Sequence, residues 1–149
     1  EVFGGTGART ATPNPQGLPF LRPPYGKLTA IDMSRGEILW QVAHGDTPDR
    51  ITRHPALAGL DLPRTGQSGA VGALVTKTLV IMGEPMATTT SSGARGAMLR
   101  AYDKTTGAEV GAVYMPAQQS GSPMTYMVGG RQYVAIASGM GFWAFALPD

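Results

Sequence analysis

The chain has 149 residues, a formal net charge of +2, and only 15% charged residues against 42% hydrophobic ones. Its 21 Gly and 12 Pro are a high share, while its charge is well below the usual ~25%. These values exclude a coiled coil and a charge-rich disordered tail. Basic residues occur singly, which excludes nucleic acid as a partner, and the absence of Cys excludes disulfides and thiolate metal sites.

The predicted elements begin after an irregular segment, residues 1–26, which is rich in Pro and Gly and has no apolar periodicity. Residues 27–149 form the second region, a β domain. Its strand-length apolar segments lie at 27–33, 37–43, 70–75, 78–82, 98–103, 109–114, 122–128, 132–138 and 142–147. No window has the apolar spacing of a helix, so the prediction is all-β. Because the chain starts at Glu1 without a signal-like segment, we expect a processed chain or a piece of a longer polypeptide.

A strand-turn-strand pattern occurs twice. Residues 30–40 read Ala-x-Asp-x-x-x-Gly-x-x-x-Trp, and residues 101–111 repeat this pattern except that Gly111 stands in place of the Trp. In each copy Asp begins a tight turn and Gly occupies a position that favours positive φ. An internal repeat of this kind predicts a propeller or another radial β array.

The pattern at 30–40 resembles the tryptophan-docking repeat of the pyrroloquinoline quinone (PQQ) dependent dehydrogenases, which are eight-bladed β-propellers of periplasmic alcohol and sugar oxidation. The resemblance covers nearly all of the chain from Pro23 onward. It also rests on the strings at 45–50 (GDTPDR), 62–66 (LPRTG), 121–126 (GSPMTY) and 146–148 (ALP). Together these resemble the C-terminal part of a glucose or alcohol dehydrogenase of this family.

The resemblance implies an all-β partial β-propeller with one complete four-stranded antiparallel blade plus parts of two neighbours. The segments from 70 to 114 would form the complete blade, with 27–43 the two outer strands of the preceding one. The segments from 122 to 147 would supply three strands of a last blade. The chain is then a fragment of a larger domain, and its first partner is the remainder of the propeller, in the same polypeptide or a companion chain. At Gly111 we expect a looser seam, or one filled by Tyr114.

The strand order places the tight turns at one end of the blades and the long connections at the other. Long loops at one end of a rigid scaffold are where binding is normally built. We expect the cofactor to contact two places among these long connections. One is the start of the innermost strand of the complete blade, and the other is the point where the second strand of the last blade finishes. The predicted cofactor-binding residues are Gly66, Gln67, Ser68, Gly69, Gly139, Met140 and Gly141. Glycine lets backbone approach a flat ligand, Gln67 and Ser68 can hydrogen-bond carboxylates, and Met140 offers a soft apolar contact. The alternative is that both segments are ordinary tight turns.

The segment 44–69 carries both histidines of the chain, His44 and His54, together with two Asp and two Arg between positions 46 and 53. One interpretation is a polar substrate entrance in which His44 accepts a proton from an alcohol. The other is a loop held by Asp–Arg pairs and Asx turns. The spacing of these residues does not form a metal site, and we assign no catalytic residue in this chain.

The function implied by the resemblance is oxidation of an aldose or alcohol by hydride transfer to PQQ, with electrons passing to ubiquinone or a cytochrome. The Ca²⁺ ligands and the catalytic base are expected outside this chain, so we expect the chain alone to be inactive. A periplasmic location follows, with association to the inner membrane through a missing N-terminal region left open. The alternative is a non-catalytic PQQ-like propeller that acts as an envelope scaffold or protein-docking module.

Overall fold

The computed structural model describes residues 15–90 and 92–147. The strands are β1 (Lys27–Asp32), β2 (Glu37–Ala43), β3 (Leu74–Val75), β4 (Leu79–Gly83), β5 (Thr88–Thr89), β6 (Arg95–Asp103), β7 (Glu109–Met115), β8 (Met124–Val128), β9 (Arg131–Ser138) and β10 (Gly141–Ala146). Helix is limited in the described part of the chain to α1 (Asp49–Thr52) and single 3₁₀ turns at Pro15–Gly17 and Pro55–Leu57. No helix among the described residues is long and apolar enough to cross a membrane. The all-β prediction is confirmed; residues 1–14 of the expected irregular segment lie outside the described residues.

The strands form three antiparallel sheets. The first sheet is β1–β2, the middle sheet has the order β3-β4-β6-β7 with β5 also paired to β6, and the last sheet has the order β10-β9-β8. The middle sheet is the predicted complete blade, and its neighbours supply two and three strands. The ladder of β3 is shorter than the predicted 70–75, because the Gly72 carbonyl accepts a hydrogen bond from the Gln119 side chain instead of a strand partner.

The core lies between the sheets. The central strand β6 is covered on both faces, so consecutive side chains along it are buried whichever face they point to. One face of the middle sheet packs on the last sheet. That cluster contains Ile81, Ala97, Leu99, Met115, Val134 and Ile136. The opposite face packs on the first sheet through Val80, Met82 and Tyr102, against Leu28 and Val42. The stacking of three sheets through two apolar layers is the arrangement expected of neighbouring propeller blades.

The repeated pattern is a repeat in structure as well. Asp32 and Asp103 each accept hydrogen bonds from the backbone N–H groups two and three residues later, which makes the predicted Asx turns. Gly36 and Gly107 follow with φ of 69° and 75°, values that glycine adopts without strain. These turns are therefore specified by local sequence.

Trp40 joins the first sheet to the middle one. Its indole Nε1 donates to the carbonyl of Lys104 at 3.0 Å, and the half-buried ring lies against Gly107. A Cβ added at Gly107 would lie 2.6 Å from the ring, so this glycine is required by the close approach of the indole. The contact with the following blade that the docking repeat implies is therefore present, although the Trp40 ring is only half-buried.

The expectation that Tyr114 fills the next seam is wrong. Tyr114 pairs with Met98, whereas Gly111 pairs with Ala101, so the two β7 side chains project from opposite faces of the sheet. The Tyr114 hydroxyl donates to the carbonyl of Arg95. The seam beside Gly111 is left as a cleft.

Candidate functional site

The long loops meet at one end of the sheets, which we call the loop end (residues 44–73, 84–90, 92–94, 116–123 and 139–141). Hydrogen bonds join them there: the Asp46 N–H donates to the Glu84 carboxylate at 2.8 Å, and the Gln119 N–H donates to the Glu84 carbonyl at 3.0 Å. The strand order thus brings the loops of two successive blades together, as the sequence predicted.

A cluster of five charged side chains ties the first of these loops to the middle sheet. Arg100 approaches Glu84 and Asp46 at 2.7 Å each and Glu109 at 2.8 Å, and Arg64 bridges Asp46 and Glu109. The side chains of Arg100 and Glu84 are only 4% and 0% exposed. Burial alone would lower the pKa of Arg100, but attraction to Glu84 and hydrogen bonds with it outweigh burial and raise that pKa. Arg100 therefore stays charged, and the cluster is an anchor for the loop.

Asp49 supplies a second anchor. Its carboxylate accepts from the backbone N–H of Thr89 at 2.9 Å and lies 3.3 Å from the Arg95 guanidinium. The N–H of Thr89 is the main reason that the pKa of Asp49 is lowered. The interpretation of a loop held by Asp–Arg pairs is confirmed, but the Arg partners lie outside residues 46–53, and two of them are in β6. The Asp49 carboxylate bonds to Thr89 instead of forming the expected Asx turn, which local sequence does not reveal.

His44 belongs to the interior and cannot receive a proton from a substrate. It is 3% exposed, and its Nε2 lies 3.0 Å from the Gly83 carbonyl, so Nε2 must be the donor. Its Nδ1 accepts from the Tyr102 hydroxyl at 2.9 Å. Burial lowers the pKa of His44, partly opposed by the hydrogen bond to Gly83, and burial raises the pKa of Tyr102 to about 12. The proton-acceptor interpretation of His44 is therefore wrong.

His54 is also engaged with backbone. Its Nε2 lies 2.7 Å from the Gln16 carbonyl, and its Nδ1 accepts from the Ala56 N–H at the start of a 3₁₀ turn. Among the residues that the structure describes, no group of three His, Asp or Glu side chains is arranged to hold a metal ion.

The first predicted cofactor segment, residues 66–69, is half inside the protein. Gly66 and Gln67 are buried, and the Gln67 Oε1 accepts from the Met86 N–H at 3.0 Å while its Nε2 has no partner. Gln67 is clamped by backbone: a Cβ on Gly26 would lie 1.9 Å from its carbonyl oxygen. Its carboxamide thus points into the protein. Ser68 and Gly69 are exposed at the loop end.

The second predicted segment, residues 139–141, makes the tight turn between β9 and β10. Gly139 has φ of 59° and donates its N–H to the Gln118 carbonyl, and Met140 is fully exposed. The two segments lie at the same end of the sheets. Gly69 of the first segment lies against Pro85. Gly139 of the second segment bonds to Gln118, whose neighbour Gln119 bonds to Glu84, the residue before Pro85.

A polar pocket of about 210 Å³ opens between these two segments. It is lined by Ala70, Val71, Gly72, Gln119, Ser120, Gly121 and Ser122. Its walls lead into β3 and β8, the first strands of the middle and last sheets, and the Gln119 Nε2 closes its floor by donating to the Gly72 carbonyl at 2.7 Å. The Ser120 hydroxyl donates to the Gly139 carbonyl at 2.8 Å, which fixes the β9–β10 turn beside it.

The sequence prediction stopped just short of this pocket. The predicted segment at the start of the innermost strand of the middle blade ended at Gly69, whereas the pocket lining begins at Ala70. Residues 119–122 were missed, although the same rule applied to the last blade indicates them. Strand order was therefore the signal that could have found them.

Comparison with known proteins gives the family. Residues 5–134 match the family model described as the glucose/ethanol/alcohol dehydrogenase β-propeller domain, which is a PQQ domain. The chain is 30% identical over 146 residues to quinoprotein glucose dehydrogenase A of Acinetobacter calcoaceticus, covering 91% of this chain and 17% of that protein. It is 31% identical over 130 residues to quinate/shikimate dehydrogenase (quinone) of Acinetobacter baylyi, covering 83% and 14%. It is 36% identical over 121 residues to the glycerol dehydrogenase large subunit of Gluconobacter thailandicus, covering 79% and 15%.

The chain spans about a sixth of the length of these relatives. The model match covers most of the chain, the three stacked sheets are those of a partial propeller, and the docking contact of Trp40 is present. The chain belongs to the PQQ β-propeller family of quinoprotein dehydrogenases.

Proposed function

We propose that this chain is part of a PQQ-dependent dehydrogenase that oxidises an aldose or alcohol, and that the polar pocket at the loop end forms part of its cofactor wall. The observation that carries this proposal is the position of the pocket. It lies where the first strands of two adjacent blades begin, on the end that carries the long loops. In a propeller the first strand of each blade faces the central channel, so the pocket would open toward it.

The residues of the pocket fit one face of a flat, polar cofactor. Ala70, Gly72 and Gly121 leave the backbone accessible, and Ser120 and Ser122 are exposed. The Ser122 hydroxyl can donate a hydrogen bond, whereas the Ser120 hydroxyl, whose proton goes to the Gly139 carbonyl, can accept one. The lining contains no charged side chain, so cations for the PQQ carboxylates would come from other parts of the polypeptide. When bound, PQQ supplies the hydride-accepting chemistry, and the role of this chain is to bind and orient it.

The two predicted segments complete this wall in our proposal. Ser68, Gly69, Met140 and Gly141 are exposed at the loop end and are the members that can touch the cofactor directly. Gly66, Gln67 and Gly139 would act through the backbone that they hold in place. The Ca²⁺ ligands and the catalytic base lie outside this chain in the same proposal. Electrons would pass to ubiquinone or a cytochrome, and the protein would be periplasmic.

The outer face of the last sheet supports an association with further blades. Met124, Tyr126 and Phe142 are 55%, 36% and 87% exposed and share the sheet face that points away from the middle sheet. The opposite face, with Val134 and Ile136, is buried in the core. An apolar face of this kind needs a cover in solution, and the remainder of the propeller is the cover that we propose.

The test uses the full-length polypeptide that carries this chain, with Ala70→Leu as the variant that fills the pocket. Ala108→Leu, an exposed Ala-to-Leu change beside the tight turn at the opposite end of the middle sheet, is the matched control. Each protein is titrated with PQQ in the presence of Ca²⁺, and dye reduction is assayed with aldoses and alcohols. We expect at least a tenfold rise in the PQQ concentration needed for half-maximal reconstitution in Ala70→Leu, and no change in the control.

Two other results are informative. If the unmodified protein neither binds PQQ nor reduces the dye, the enzymatic proposal fails and the non-catalytic scaffold is favoured. If Ala70→Leu reconstitutes like the control, the dehydrogenase stands but the pocket is not its cofactor wall. Thermal unfolding of each variant shows whether the fold is intact.

A further inference from the structure

The second repeat keeps the framework of the first but lacks its aromatic ring. Trp40 pairs across the strands with Ala30, and Gly111 pairs with Ala101. In both pairs the register shifts immediately after the alanine, so the two positions are equivalent in three dimensions. Trp40 projects toward the middle sheet; a side chain at Gly111 would project toward the last sheet.

Where the indole would lie, the structure has a cleft of about 240 Å³. Its apolar lining includes Leu99, Ala101 and Val113 from the middle sheet and Val134, Phe145 and Leu147 from the last sheet. A Cβ built on Gly111 meets no atom within 4 Å, so the space begins directly at this residue. Arg100 also borders the cleft, but its guanidinium is held in the ionic cluster by Glu84, Asp46 and Glu109.

We propose that this cleft is a binding site for a free, uncharged planar aromatic molecule of about the size of indole. An apolar cavity of about 150 Å³ is large enough to bind benzene, so this cleft has room for a two-ring molecule. The lining has no free charge to pair with an ionic ligand, and burying an unpaired charge there is unfavourable. The equivalent position of the first repeat holds an indole between two sheets, which shows the ligand shape that this framework accepts. This inference is independent of the proposed cofactor wall, because the cleft lies in the seam between sheets and shares none of the residues lining the polar pocket.

The test is a titration of the purified protein with indole. Binding is measured from the NMR chemical shifts of the methyl groups of Val113, Val134 and Leu147. Gly111→Trp should fill the cleft from within, and Gly111→Leu serves the same purpose should the Trp variant fail to fold. The matched control is Tyr114→Trp, which places the same ring in the same strand on the opposite face, because Tyr114 pairs with Met98 and not with a residue of the Ala101 face.

We expect saturable indole binding to the wild type and to Tyr114→Trp, and at least a tenfold weaker affinity in the Gly111 variants. Gly111→Trp should also raise the melting temperature. No indole binding to the wild type, or equal binding to wild type and Gly111 variants, would overturn the proposal. Equal affinity for n-hexanol would overturn the assignment of an aromatic ligand, and binding of imidazole with similar affinity would overturn the apolar character of the site.

Discussion

Replacing Arg100 by Met tests whether the charged cluster at the loop end holds the fold together. Arg100 makes hydrogen bonds to Glu84 through both Nε (2.9 Å) and Nη2 (2.7 Å), and the Glu84 side chain is completely buried. Arg100→Met keeps much of the side-chain volume but leaves Glu84 buried beside Asp46 and Glu109 without its main cation. Removing one partner of a buried ion pair typically costs about 3–5 kcal/mol. Arg64, which contacts Asp46 and Glu109, will offset part of this, so we expect a loss of about 3 kcal/mol.

The measurement is urea unfolding followed by circular dichroism, with Arg35→Met as the control. Arg35 forms an ion pair with Glu37 at 3.1 Å, but both side chains are more than half exposed, so its loss should cost no more than about 0.5 kcal/mol. Adding Glu84→Gln to Arg100→Met should recover more than half of the lost stability, because the unpaired charge is then gone. A loss below about 1 kcal/mol in Arg100→Met would refute the reasoning that Glu84 depends on this partner.

Three further predictions concern the seams and the buried histidine. Trp40→Ala should destabilise the protein by about 3 kcal/mol, the low end for an aromatic residue because the ring is half-buried, as measured by urea unfolding; a loss under about 1 kcal/mol would contradict the docking role. Gly107→Ala should cost about 1–3 kcal/mol more than Gly36→Ala, because both have positive φ but only Gly107 lies against the indole; equal losses would contradict the contact. Since burial lowers the pKa of His44 below 6.5, the unfolded chain binds its proton more readily, so the stability is fully present above about pH 6.5 and declines as the pH falls below it. Melting temperatures at about pH 7.5 and pH 5.5 should show this decline in the wild type and less of it in His44→Gln, and an unchanged slope in that variant would assign the titration to another group.

Much of the fold was predictable because strand and turn formation here depends on neighbours in sequence. The Asp-to-Gly turns at 32–36 and 103–107 carry their own hydrogen bonds, and the apolar segments between them match the observed strands to within a few residues. The sequence missed β5, since a two-residue strand has no apolar pattern of its own and forms only because β6 offers a free edge.

The candidate site was less predictable, because its contacts join residues far apart in the chain. The polar loop residues of 44–69 invited a catalytic interpretation, yet His44 is enclosed by Tyr102 and Gly83, which lie 58 and 39 residues away. Gln67 was predicted to face a ligand, but its carboxamide turns inward to Met86. Nothing within either local segment distinguishes an inward from an outward side chain.

The sequence by itself determined the all-β class, the positions of the turns and the family resemblance, because these depend on residue type at short, regular spacing. Only the tertiary structure decided which charges pair, which loops meet and where space remains. Arg100 finds Asp46 across 54 positions because two sheets stack, and the polar pocket exists because the starts of β3 and β8 lie side by side. The change of Trp to Gly at position 111 is visible in the sequence, but whether a neighbour closes the gap depends on which face each side chain takes. The pairing of Tyr114 with Met98 places that ring on the opposite face, and the cleft stays open.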